Sequence, residues 1–210
     1  MLSRLALATC LSCFAATAWA ADVKREVVYD VTGDFDHDGK PDRAALVIVG
    51  PGMTPDTSDL AKDRYWVQDN EQVSLLIYLR AGNAPLDITK PPSFEKDNLA
   101  NHEEHYDWAV PLTVNKAGSL QFSMSQGWGS SHESDETVTI EVIKGQPMVI
   151  GYDFGWALPQ AEGASCSIDL QKGNAVYDDS MRKKHRKVKI SPVALKDWKA
   201  PDYQKICKVK

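Results

Sequence analysis

The chain has 210 residues, enough for one domain with a substantial core or for two small ones. Its 29 acidic side chains outnumber 24 basic ones, for a formal charge of −5, and this sign argues against a general nucleic-acid binder.

Residues 1–20, MLSRLALATCLSCFAATAWA, carry one positive charge, Arg4, followed by an apolar run. They end in Ala18-Trp19-Ala20, with small residues at the two positions a signal peptidase reads. This pattern predicts a cleavable signal peptide over 1–20, a mature chain from Ala21, and a periplasmic or secreted location. The apolar run is shorter than the ~20 residues of a membrane span, and no later segment approaches that length. Cys10 and Cys13 fit a lipid-attachment box poorly, because the triplets before them are Leu7-Ala8-Thr9 and Cys10-Leu11-Ser12. Loss of the leader removes one base and no acid, so the mature chain is one unit more negative.

The next segment, GDFDHDGKPDRAALVIVG from Gly33 to Gly50, crowds four aspartates into nine residues and then turns apolar. Counted from Asp34, Asp36 stands at position 3, Asp38 at 5, Gly39 at 6, Lys40 at 7 and Asp42 at 9. This is the spacing of a calcium loop: side-chain oxygens at alternate positions, a main-chain carbonyl at 7, and glycine at the sharp bend. Hard divalent cations take six to eight oxygens, and without a cation such carboxylates repel one another. Position 12 is Ala45 rather than a bidentate glutamate, and the flanks REVVYDV and RAALVIV read as strands. A helix–loop–helix sensor is therefore not expected.

DFDHDGKPD resembles the D-x-D-x-D-G-x-x-D loop of FG-GAP and VCBS-type repeats and of other strand-flanked calcium loops in secreted proteins. The resemblance implies structural calcium binding by Asp34, Asp36, Asp38, Lys40 (through its carbonyl) and Asp42. It does not imply a propeller, since the motif occurs once and a propeller needs several blades. The wider arrangement, with GYDF…CSIDLQKGNAV and VALKDW…C segments, looks like that of small exported bacterial proteins and brings no activity with it.

Beyond the loop, period-two alternation dominates. Leu75, Ile77 and Leu79 share a face in SLLIYLR, as do Leu120, Phe122 and Met124 in SLQFSMS. Val138, Ile140 and Val142 alternate with polar residues, and the turn KGQP followed by MVIGYDF predicts a hairpin. SCSIDLQ, KGN and AVYDD predict another, with Cys166, Ile168 and Leu170 pointing inward. Helical candidates are short: PDYQKIC and the polar FEKDNLANHEEHYDW. The long segments PGMTPDTSDLAKDRYWVQDN and AGNAPLDITKPPSFEKDN read as loops of the kind that are functional or disordered. The expected fold is mainly β: one antiparallel sandwich or twisted-sheet domain over 21–210. Cys166 and Cys207, the two cysteines left after processing, most simply form one disulfide. It would close a loop of ~42 residues and contribute roughly 4 kcal/mol on the chain-entropy relation.

Three other constellations carry chemistry in outline. His102 and His105 in NHEEHYD, joined by His132, offer metal ligands, but their spacing falls one residue short of the zinc-protease motif and an exposed polar loop accounts for it better. Adjacent Ser131, His132 and Glu133 lack both the convergence and the oxyanion hole of a triad. Trp66, Trp108, Trp128, Trp156 and Trp198, with Tyr65 and Tyr106, would suit glycan stacking, although aromatics of small β domains are more often packing residues. RKKHRKVK, Arg182 to Lys189, is the one basic cluster and reads as a solvated strand edge guarded by lysine, with anionic lipid or polyanion as the rival partner. No catalytic set is complete. The expectation is a calcium-binding envelope protein with a structural or binding role. Carbohydrate or polyanion binding through loop aromatics, and a metal-dependent hydrolase built on His102, His105 and His132, stand as the alternatives.

Overall fold

A computed structural model describes residues 24–50, 71–101, 112–126, 133–158, 161–179 and 181–207. The leader read over 1–20 lies outside these, as do the loop over 51–70 and residues 102–111.

The chain is mainly β, as its alternation predicts. A four-stranded antiparallel meander runs in the order β1 (Lys24–Gly33), β2 (Asp42–Gly50), β3 (Gln72–Tyr78), β4 (Phe94–Asn101). A larger antiparallel sheet is built from β5 (Leu112–Val114), β6 (Leu120–Gln126), β7 (Glu133–Ile143), β8 (Gln146–Leu158), β9 (Ala161–Asp169), β10 (Asn174–Asp179) and β11 (Arg182–Lys187), each beside the next. β12 (Val193–Ala194) pairs the first part of β8, Met148 and Val149, while β9 pairs β8 from Gly151 onward. One helical turn, α1 (Tyr203–Cys207), lies where PDYQKIC predicts it. No helix among the described residues is long and apolar enough to cross a membrane.

The two sheets share one core. Ala44, Leu46, Ile48, Val73, Leu75 and Ile77 from the meander are buried in a single cluster with Leu120, Phe122, Val138, Ile140, Tyr152 and Ile168 of the larger sheet. These are the alternating faces of the sequence pattern. At roughly 1.5–3 kcal/mol per fully buried large apolar side chain, this seam dominates the favourable energy of the fold. The predicted KGQP hairpin forms as β7–β8 around Lys144 and Gly145, with φ of 52° and 77°. Both residues are left-handed, as a two-residue turn matched to strand twist requires.

One expectation is corrected, and one loop is found to pack. FEKDNLANHEEHYDW does not begin as a helix: residues 94–101 form β4. Its register slips, with Leu75 opposite Lys96 but Val73 opposite Ala100, and Asn98 takes a φ of 47° inside the slip. Phe94 and Lys96 are half-buried before the bulge, and Leu99 is half-buried after it. Residues 97–99 stand opposite Ser74 alone, so the packed Leu99 falls out of step with Phe94 and Lys96 and the period-two signal is lost. The second half of that segment lies outside the described residues. Residues 81–93, within the segment AGNAPLDITKPPSFEKDN read as a loop, carry no strand or helix and place Leu86 and Ile88 over the outer face of the meander, against Ala45, Val47 and Leu76. The outer face of β2 and β3 is therefore covered as well.

Candidate metal centre

The aspartate loop connects β1 to β2, with Gly33 paired to Asp42 at its neck. Both flanks are strands, as read. What fixes the loop is an apolar residue in its midst: the Phe35 side chain is 1% exposed in the common core, and its carbonyl accepts the Val142 N–H of β7 at 3.1 Å. One residue thus ties the turn of the first sheet to the second.

Around this plug the carboxylates organise the main chain. Asp34 accepts the N–H of Asp38 through Oδ1 and that of Gly39 through Oδ2, each at 3.0 Å. Asp36 Oδ1 also accepts the Asp38 N–H, at 3.1 Å. Gly39 takes a φ of 79°, the bend for which position 6 selects glycine. Asp42 is fully buried. Its Oδ2 accepts the Phe35 N–H and its Oδ1 the Arg80 N–H, both at 2.7 Å. Burial pushes the Asp42 carboxyl above the usual range; the two N–H groups oppose this and the charge of Asp36 adds to it.

Asp34, Asp36 and Asp42 each bring one carboxylate oxygen within 4.8 Å of the other two. Oxygens that all lie ~2.3–2.6 Å from a common calcium stand at most about 5 Å apart, so this separation fits such an ion. The donors are hard oxygens without histidine or cysteine, which suits calcium or magnesium over softer metals. An oxygen that accepts one N–H keeps a lone pair for a cation. The residues present therefore fit a divalent ion.

Asp38, expected at position 5 of the ligand set, is not in this triad. Its Oδ2 accepts Arg80 Nε at 2.7 Å and its Oδ1 the Lys40 N–H at 2.9 Å. Desolvation pushes the Asp38 carboxyl up, but the Arg80 guanidinium and the Lys40 N–H bring it below its usual value. Arg80 is the contributor that sequence reasoning missed. It lies 38 residues beyond Asp42, with a φ of 56°, and reaches both Asp38 and Asp42. No local pattern marks it. Phe35 did carry a signal, as an aromatic residue inside an otherwise polar turn.

The predicted cysteine pair is formed: Cys166 and Cys207 make a disulfide with a Cα–Cα distance of 6.1 Å, both side chains buried. It holds α1 to β9. His102, His105 and His132 lie outside the described residues, as do Trp66, Trp108, Trp128, Tyr65 and Tyr106. Trp156 packs between Phe154 and Tyr177, with ring centroids at 5.6 and 6.3 Å, and Trp198 packs on Tyr152 at 5.6 Å. These two tryptophans are packing residues.

No protein-family model matches the chain, and neither a curated protein nor a solved structure matches it significantly.

Proposed function

We propose that the protein is an exported calcium-binding β domain with a structural or binding role at the cell envelope, of the FG-GAP and VCBS-like loop type. The observation that carries this reading is the convergence of Asp34, Asp36 and Asp42 oxygens in a loop pinned to the core by Phe35. Calcium, when bound, neutralises carboxylates that otherwise repel one another across the β1–β2 turn. The chain's own work is to hold those oxygens ready. Phe35 fixes the turn, Gly39 bends it, Arg80 occupies Asp38, and two N–H groups orient Asp42. Such a site braces the meander where it meets the larger sheet. Its affinity falls on the order of 10⁻⁴–10⁻³ M, the range of extracellular modules. Export is supported by the leader-like first twenty residues together with the disulfide.

Elemental analysis of the purified protein, followed by calorimetric titration of chelator-stripped material, tests the reading. One calcium site is expected in the wild type and none in Asp36→Ala. A wild type that retains no metal and gives no heat with calcium overturns it.

A further inference from the structure

The basic edge of the larger sheet is the feature that the proposed calcium role leaves unused. We propose that β11 and the segment after it dock onto an anionic lipid surface. Six of the eight residues from Arg182 to Lys189 are lysine or arginine, in a chain whose net charge is negative. β11 is the terminal strand of its sheet, and five of its six residues are exposed. The strip runs ~20 Å at a strand's rise per residue. It is not neutralised from within. Arg182 pairs with Asp179 and Lys183 with Asp178, both at 2.8 Å. Among the described residues, Lys184, Arg186, Lys187, Lys189 and Lys205 form no side-chain ion pair. Asp202, three residues before Lys205, directs its Oδ1 to the Lys205 main-chain N–H at 3.0 Å.

Two observations favour a lipid surface over a soluble polyanion. First, Arg186, Lys187, Lys189 and Lys205 rim an open groove of about 520 Å³ whose remaining lining is Val188, Ile190 and Ile206. Cations over an aliphatic floor match a phosphate headgroup above the start of its acyl chains. Second, Met181 precedes β11 and is 89% exposed, against 36% for Val27, the other large exposed hydrophobic among the described residues. An unpacked thioether beside Arg182, Lys183 and Lys184 is suited to entering the headgroup layer. Guarding a sheet edge against self-pairing calls for a charge or two. It does not call for an unpaired set on both faces of the strand, continued onto α1. The disulfide, by holding α1 to β9, keeps Lys205 and Ile206 at the groove.

The test is vesicle co-sedimentation of the full chain with phosphatidylcholine alone and with phosphatidylcholine mixed with phosphatidylglycerol. Any binding through the apolar leader is common to every variant and both vesicle types, so the increment due to anionic lipid is the readout. Four cations near a charged surface contribute about 1 kcal/mol each, so Arg186→Gln/Lys187→Gln/Lys189→Gln/Lys205→Gln should lower that increment about a thousandfold. Salt should lower it too. Met181→Ser should weaken binding several-fold, without altering the salt slope. If the fourfold variant melts early, Lys184→Gln/Lys187→Gln, both at exposed edge positions, takes its place with about a thirtyfold loss. Equal binding to the two vesicle types, or an increment that survives the substitutions in a folded variant, overturns the proposal. So does retention on dextran sulfate without vesicle binding, which would assign the strip to soluble polyanions.

Discussion

The aspartate loop and the basic edge each crowd one sign of charge into a short stretch, and they handle it in opposite ways. In the loop each carboxylate accepts named main-chain N–H groups, and Asp42 is fully buried. Along the edge and onto α1 the cations are mostly exposed, and five of them form no side-chain ion pair among the described residues. The loop is preorganised: its geometry is fixed by Phe35 in the core, so its chemistry is set by position. The edge is fixed only as backbone, and its side chains answer to salt and to whatever field they meet. Crowded like charge therefore means different things at the two places, and main-chain hydrogen bonding tells them apart.

The sharpest way to break this contrast is Phe35→Ala. Removing a fully buried phenylalanine should cost about 3–5 kcal/mol in denaturant unfolding, whereas Lys184→Ala at the edge should change stability by no more than about 0.5 kcal/mol. Similar costs for the two would mean that the loop is not anchored as described. Next comes calcium linkage. With calcium about 100-fold above its dissociation constant, chelator-stripped wild type should gain about 2.7 kcal/mol, seen as a rise in Tm. Asp36→Ala should gain nothing, and without calcium should differ from wild type by less than about 1 kcal/mol, since Asp34 also accepts the Asp38 N–H. A calcium-dependent rise that persists in Asp36→Ala would move the ion elsewhere.

Most of the strands, both hairpins and the short terminal helix were legible because alternation and turn chemistry are local signals, though the short β5 and β12 carried none. The disulfide was legible because two cysteines remain after the first twenty residues. β4 was not, because its bulge sets residues 97–99 against Ser74 alone and puts Leu99 out of step with Phe94 and Lys96. The outer cover of the meander was also hidden: Leu86 and Ile88 sit alone among Pro, Asp and Thr, and only the folded chain brings them onto Ala45 and Leu76. At the loop, spacing identified all the aspartates but could not sort them. Asp34, Asp36 and Asp42 converge while Asp38 turns to Arg80, and that division depends on a residue from the end of β3. Position within a motif is a sequence property; competition for a carboxylate is a tertiary one.

Asp42→Asn probes the buried anchor itself, with chelator present to remove any ion effect. An amide offers one acceptor oxygen where the carboxylate has two, so either the Phe35 or the Arg80 N–H would face an NH₂ group. The expected loss is about 1–3 kcal/mol by equilibrium unfolding, the cost of one buried donor left unmatched. An unchanged midpoint would show that water reaches the site.

The smallest effect belongs to the edge and concerns pH. The Arg182 guanidinium beside Asp179 holds that carboxyl below its usual value of 3.8, against some desolvation and with help from the Tyr177 hydroxyl. A depressed folded-state value means that the folded chain binds the proton less readily than the unfolded one. The Asp179–Arg182 pair therefore contributes its stability above 3.8 and loses it as the pH falls through the lower folded value. Because both partners are at the surface, the contribution is modest and should shrink further in salt. Unfolding measured down an acid series should show wild type converging on Asp179→Asn at low pH after a small advantage near neutrality. Parallel curves for the two proteins would instead leave the pair without energetic weight, and would put Arg182 among the unneutralised cations of the strip.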